Sequence, residues 1–241
     1  MKRYLGWLAG GVLGLGAAFA QEPAASRSMR LLAVGEPPPF RQVVENGVRR
    51  ELPPPAGSIP PRELGVGLAG EGEEREAGKL RLTLGRVSDP LAVPVGKVPV
   101  VLRDGADEWL RIVPPEAGDF LVLVWREPGA ESWDEARARQ IADLPEAGQA
   151  LLLNVSPWPV AIRFGDEPIG LKPGQGVTRD LKPGRATAFD AGLETGGELK
   201  WMSPRGLEQN AGERTLVVLC RADGVKPRRP LKVTVLREKS E

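Results

Sequence analysis

The chain lacks histidine entirely and contains a single cysteine. Without an imidazole, no side chain with a near-neutral unperturbed pKa can serve as the base of a Ser-His-Asp or Cys-His catalytic arrangement. The usual zinc, copper and non-haem iron sites are excluded as well, because one thiolate cannot replace the missing ligands. Neither common form of glycine-rich phosphate loop occurs in the sequence. The sequence therefore predicts no catalytic residues, no metal ligands and no cofactor.

The single cysteine, Cys220, cannot form a disulfide within the chain. It lies in the apolar segment TLVVLCRA, where Leu216, Val218 and Cys220 share one face of a predicted strand. A buried, unreactive side chain is the favoured interpretation, and a reactive thiol is the alternative. An exported protein without disulfides must be held together by its hydrophobic core alone.

Long hydrophobic runs are also scarce. The one run near membrane-spanning length covers residues 5–19, follows the basic start MKR, and ends in the small-x-small site AFA. This layout is typical of a secretory signal peptide over 1–20 that is cleaved after Ala20 and followed by a linker over 21–28. An uncleaved membrane anchor is the alternative, but a spanning helix needs ~20 apolar residues. We therefore expect a periplasmic or secreted protein without a membrane span after cleavage.

The formal charge of the chain is close to zero, with 33 basic and 32 acidic residues. Cleavage would remove Lys2 and Arg3, which leaves 31 basic residues against the same 32 acidic ones. A near-neutral chain has no overall field that attracts nucleic acid. Nucleic acid is therefore not an expected partner.

Glycine and proline are abundant, with 30 and 24 residues, and follow no repeating period. They separate short runs in which apolar and polar residues alternate, as Leu80, Leu82 and Leu84 do in KLRLTLG. Alternation with period two predicts strands with one buried face, and Asn46-Gly47 predicts a hairpin turn. The segment DFLVLVWRE is apolar on both faces, which is typical of a central strand. These signals predict an all-β sandwich fold.

Two pairs of segments indicate an internal duplication. LLAVGEPPPFR matches LLNVSPWPVAIR, and DFLVLVWRE matches RTLVVLCRA near the end. We therefore predict two tandem antiparallel β-sandwich (Ig-like) domains over 29–145 and 148–237, with a mobile loop rich in Pro, Gly and Glu over 53–78. The alternative is that all amphipathic strands look alike. The segment 133–144 permits a helix or a strand, and the duplication favours the strand.

The second half also carries a strand–turn module. It consists of N-V-S at 154–156, P-V at 159–160, Gly165, and L-K-P-G at 171–174. The pattern resembles a module of uncharacterised exported bacterial β-sandwich proteins. The resemblance implies a scaffold of strands and turns, and it implies no catalytic residues.

Carboxylates are the groups that can still act as an acid–base pair without histidine. The candidates are Asp104, Asp107 and Glu108 beside Trp109, and Asp166 and Glu167 in a predicted turn. Turn formation is favoured, because an Asp side chain accepts hydrogen bonds from nearby backbone N–H groups. The acidic run over 71–76 offers oxygen ligands for calcium, but a solvated charge run is favoured there too.

Two tryptophans are candidate contacts for a ligand or a partner. Trp158 lies between two prolines, and Trp201 lies near Pro204. A tryptophan held at a proline-rich corner can form a rigid platform for a sugar ring or a partner side chain. Capping the end of the sandwich is the favoured alternative.

Together these features predict an exported, non-enzymatic interaction or accessory module of the bacterial cell envelope that binds another envelope protein. Sheet edges and clefts between domains commonly serve as such contacts. A glycan-binding module that uses Trp158 and Trp201 is the alternative function. A carboxylate-based hydrolase is the least favoured.

Overall fold

The computed structural model describes residues 25–70, 75–130, 132–142, 144–202, 204–223 and 227–240. The predicted signal peptide and three glutamates of the acidic run, Glu71, Glu73 and Glu74, lie outside these residues. Every helix or strand assigned in the described residues is a β-strand, which confirms the all-β fold class. The described residues contain no helix of the length and apolar character needed to cross a membrane.

The first domain forms two four-stranded sheets and a separate two-stranded one. Its strands are β1 (Ser26–Val34), β2 (Gln42–Glu45), β3 (Val48–Glu51), β4 (Glu63–Leu68), β5 (Arg75–Arg81), β6 (Leu91–Pro94), β7 (Val100–Asp104), β8 (Asp107–Ile112), β9 (Phe120–Arg126) and β10 (Ala136–Ile141). The outer sheet has the order β5-β4-β7-β8, and the inner sheet has the order β10-β9-β1-β6. The strands β2 and β3 form a separate hairpin, and its turn is the predicted Asn46-Gly47 pair, with φ of 51° and 78°.

The second domain repeats this arrangement. Its strands are β11 (Gln149–Asn154), β12 (Val160–Phe164), β13 (Glu167–Leu171), β14 (Gly176–Asp180), β15 (Thr187–Thr195), β16 (Glu198–Trp201), β17 (Arg205–Leu207), β18 (Glu213–Arg221) and β19 (Leu231–Lys239). The inner sheet has the order β14-β11-β18-β19. The outer sheet has the order β13-β12-β15-β16, and β17 also pairs with β15.

The two domains share one topology, which supports the duplication. The first strand of each inner sheet, β1 or β11, lies parallel to β9 or β18, and the remaining strand pairs of both sheets are antiparallel. The final strands β10 and β19 occupy the same edge position. The segment 133–144 therefore contains a strand, as its equivalence to β19 predicts.

The insertion in the first domain lies earlier than the sequence indicated. The mobile loop predicted over 53–78 is wrong for residues 63–68 and 75–78. The strand β4 lies over 63–68 with Leu64 and Val66 buried in the core, and β5 begins at Arg75. Glycines at alternate positions of ELGVGL gave this strand the composition of a loop. The extra segment is the β2–β3 hairpin with its flanking prolines, and β4 is the equivalent of β12. The predicted linker over 21–28 is likewise too long, because β1 begins at Ser26.

Three hydrophobic cores hold four stacked sheets together. Each domain has a core between its own inner and outer sheets. A third core lies between the two inner sheets and joins the domains. Alternate residues serve different cores, since Leu31 packs inside the first domain and Leu32 packs against the second. This arrangement explains why DFLVLVWRE is apolar on both faces.

Charged pairs cross the boundary between the domains at the rim of the third core. The Glu238 carboxylate of β19 lies 3.2 Å from the Arg30 guanidinium of β1 and 3.1 Å from that of Arg214. A second pair joins Arg126 to Asp223 at 2.6 Å. These pairs and the apolar contacts between them fix the two inner sheets against each other.

Candidate functional site

The outer sheet of the second domain turns one face to the core and the other to solvent. Along β12, Val160 and Ile162 point inward and are buried, so Ala161 between them points outward. Gly170 of β13 lies opposite Ala161, and Gly192 of β15 lies opposite it on the other side. Ala161 and Gly170 leave a shallow trough on the outward face, whereas Gly192 is covered by the Leu199 and Trp201 side chains.

At one end of this trough the sheet opens into a groove of about 570 Å³. We call it the β15 groove. Its lining includes Pro159, Ala161, Gly170, Lys172, Glu194 and Leu199. The start of β12 and the end of β13 form one wall of the groove. The β15–β16 hairpin, with its turn at Gly196-Gly197, forms the other wall.

The edge of β15 beside this groove has no ladder partner over its last three residues. The ladder between β12 and β15 ends at the pair Ala161–Gly192, while residues 193–195 still pair with β16 on their other side. Val160 is the first residue of β12, and the residue before it, Pro159, occupies the next hydrogen-bonding position in line but has no backbone N–H. One side of a β-strand therefore borders the groove.

Trp201, one of the two predicted contacts, lies on β16 next to the trough. Its side chain is 38% exposed, and the Arg163 guanidinium lies 4.6 Å from the ring centroid. Arg163 also forms an ion pair with Asp190 at 3.3 Å, and Asp190 is buried. The ring therefore has a cation on one face, a favourable arrangement for a tryptophan.

Trp158, the other predicted contact, is half-buried and packs against the core of the second domain. Its carbonyl oxygen accepts a hydrogen bond of 2.8 Å from the side-chain amide of Asn154. The same amide donates to the carbonyl oxygen of Leu171 at 3.0 Å, and the Asn154 side-chain oxygen accepts from Ser156. The N-V-S segment therefore holds the corner in place, and Trp158 itself is not part of the groove lining, although Pro159 is.

The candidate carboxylates lie at the tips of two hairpins: Asp166 is in the turn between β12 and β13, and the other four are on the strand ends beside the two turns. Asp104 and Asp107 face each other across the turn between β7 and β8, and Glu108 accepts a hydrogen bond of 2.6 Å from Arg111. Glu167 accepts two hydrogen bonds from Arg179, and these bonds lower the pKa of Glu167. A lowered pKa keeps this carboxylate ionised, whereas a general acid requires a raised pKa.

Cys220 lies in the core between the domains. Burial raises the pKa of its thiol to about 12, so the thiolate is not populated near neutral pH. Leu216 and Val218 share its face, as predicted, but that face packs against the other domain and not inside its own sandwich.

Metal ligands do not converge anywhere in the described residues: His, Cys, Asp and Glu side chains form no group of three or more there that could hold a metal ion.

The sequence did not single out Leu199, Gly192 or Arg163. The alternation in GELKW, after two glycines, was a usable signal for a hairpin strand that exposes Leu199 and Trp201 together. No local signal pairs Arg163 with Trp201, because the two residues meet only through the register of three strands.

Comparisons with known proteins were made at the level of family, sequence and structure. No family model matches the chain, and no curated protein matches it. A crystal structure from Bacteroides ovatus ATCC 8483, described as that of a "putative cell adhesion protein", has 11% sequence identity and a TM-score of 0.20. The match covers 89% of this chain and 98% of that chain.

Proposed function

We propose that this chain is an exported, non-enzymatic interaction module that binds another protein of the cell envelope through the β15 groove. The observation that carries the proposal is the groove itself. It combines exposed apolar surface at Leu199, which is 44% exposed, with a strand edge that ends its ladder early. Apolar surface next to a strand edge suits a protein segment as ligand.

The position of the groove supports the same assignment. It opens at the far end of the stack, on the sheet that takes no part in the core between the domains. None of its lining residues belongs to the core between the domains. The rest of the fold can then serve as a rigid support for the groove, as scaffolds commonly do for their binding sites.

Glycan binding is less well supported than protein binding. A sugar ring stacks on a free aromatic face, but Arg163 lies over the Trp201 ring and Trp158 packs against the domain core. Export is proposed on the signal-like segment over 1–20, and it makes the envelope the place to look for the partner.

The test is capture followed by a direct binding measurement. The purified chain is cross-linked to envelope proteins of its own organism, and each captured protein is then measured against wild type and against Leu199→Glu. The control is Val113→Glu, since Val113 is another apolar residue, 52% exposed, in the other domain. We expect Leu199→Glu to weaken binding at least tenfold and Val113→Glu to leave it unchanged.

Equal binding by both variants would refute the assignment to the groove. A glycan array probed with wild type and Trp201→Ala separates the competing function. Glycan binding that is lost in Trp201→Ala, with no protein partner captured, would replace the proposal.

A further inference from the structure

The backbone of Glu194 points into the β15 groove. In the β15–β16 pair, the Met202 N–H donates to the Ala191 carbonyl oxygen at 2.8 Å, which marks Ala191–Met202 as a hydrogen-bonded pair. Hydrogen-bonded pairs alternate along an antiparallel ladder, so Leu193 is the next residue of β15 that bonds to β16. The N–H and carbonyl of Glu194 therefore face away from β16.

The pairing on the other side of β15 gives the same direction. The Gly165 N–H donates to the Ala188 carbonyl oxygen at 2.7 Å, which sets the alternation between β12 and β15. Every second pair along this ladder is hydrogen-bonded, and the last such pair is Ala161–Gly192. The next hydrogen-bonded pair would join Pro159 to Glu194. Because proline has no N–H, β12 supplies no donor to the Glu194 carbonyl oxygen at this position.

We propose that an extended segment of the partner protein adds to the edge of β15 at residues 193–195 and lies in the groove as an extra strand. This inference rests on the proposed function and names the form of the partner. Strand addition obtains its affinity from main-chain hydrogen bonds, and here Glu194 directs both of its backbone groups toward the incoming strand. Ala161 and Gly170 line the groove, and no atom lies within 4 Å of a Cβ added at Gly170, so the trough can accept one apolar side chain of that strand.

The charges of the groove set a further requirement on the segment. Lys172 lies on the wall formed by the end of β13, and Glu194 lies on the opposite wall. A bound strand lies between one positive and one negative side chain. The complementary segment therefore carries an acidic residue on the side of Lys172 and a basic residue on the side of Glu194, with an apolar residue between them.

The probe for this inference is a phage-displayed library of random linear dodecapeptides, panned against the purified full chain. Peptides that alternate apolar and charged residues are expected to enrich. The binding of one synthetic enriched peptide is then compared between Glu194→Pro and Glu194→Ala. Proline removes the N–H that points into the groove and is tolerated at sheet edges, while alanine keeps the N–H and removes only the carboxylate.

We expect Glu194→Pro to weaken peptide binding at least tenfold, and Glu194→Ala to weaken it no more than about threefold. A second measurement needs no protein variant. N-methylation of the peptide at every second residue removes the N–H groups of one edge only. Two peptides are compared, one methylated at the odd positions and one at the even positions. We expect one of them to lose binding and the other to keep it, because a strand pairs with its neighbour through alternate residues.

Each result decides between alternatives. Equal binding by Glu194→Pro and wild type, equal binding by the two methylated peptides, or no enrichment of peptides would overturn strand addition. If Leu199→Glu still loses its captured partner in those cases, the proposed function stands and only the mode of binding is wrong. A concentration-dependent dimer of the full chain that Glu194→Pro dissociates would assign the edge to a second copy and also overturn the inference.

Discussion

Gly192 lies directly opposite Trp201 in the antiparallel β15–β16 pair. A Cβ atom added at Gly192 would lie 2.8 Å from the Lys200 carbonyl oxygen and 3.2 Å from the Trp201 ring. The absence of a side chain at Gly192 is therefore what allows the tryptophan to settle over the sheet, where Arg163 then meets the ring. Glycine at this position therefore lets Leu199 and Trp201 of the hairpin pack over β15 beside the trough.

Substitution of Gly192 tests this relationship. Gly192→Ala should lower the free energy of unfolding by about 1–3 kcal/mol, because the contact at 2.8 Å is with backbone that cannot move aside cheaply. Gly170→Ala is the matched control, since its added Cβ would have no atom within 4 Å. We expect the control to change stability by less than about 0.5 kcal/mol in urea unfolding. Equal effects would show that the packing at Gly192 is not tight.

The side chain of Asn154 is expected to stabilise the second domain. Asn154→Ala removes the hydrogen bonds to the carbonyl oxygens of Trp158 and Leu171 and leaves both acceptors without this donor in a buried corner. We expect a loss of about 2–4 kcal/mol in the free energy of unfolding. Asn210→Ala, at an exposed asparagine that bonds to Glu213, should cost less than about 1 kcal/mol. A small effect at Asn154 would contradict the structural role of the N-V-S segment.

The buried thiol of Cys220 should make stability depend on alkaline pH. Burial raises its pKa from 9.0 to about 12, so between these values the unfolded chain releases the proton and the folded chain keeps it. The stabilising contribution is complete below pH 9 and declines above it. Relative to Cys220→Ala, the wild type should lose about 1 kcal/mol of unfolding free energy between pH 8 and pH 10. A difference between the two proteins that does not change with pH would refute the burial of this thiol.

The ion pairs at the domain boundary should contribute more than exposed pairs do. Glu238→Gln leaves Arg30 and Arg214 close together without the carboxylate between them, and all three side chains are less than one quarter exposed. We expect a loss of about 1–2 kcal/mol, reduced at high salt. Glu45→Gln breaks the exposed pair with Arg50 and should change stability by less than about 0.5 kcal/mol. Thermal unfolding at low and high ionic strength measures both variants.

Local pattern predicted much of the fold because the signals it uses act between neighbouring residues. The alternation in TLVVLCRA placed Leu216 and Cys220 on one face, and Asn46-Gly47 marked a hairpin through its tolerance of positive φ. The sequence pattern did not predict the strand β4, because the glycines at alternate positions give this segment the composition of a loop. The sequence pattern did not predict the β15 groove for a different reason. The walls of the groove come from strands that meet only in the folded sheet.

The sequence by itself determined which residues share a face in most strands and where most hairpins turn, and it favoured an arrangement that occurs twice. It also excluded imidazole chemistry. Only the tertiary structure decided what covers each face: the apolar outward sides of β9 and β18 lie against the opposite inner sheet, and β15 runs past the start of β12. The physical reason is that a period of two fixes the side to which a side chain points, while its neighbour on that side is set by register and packing between distant segments.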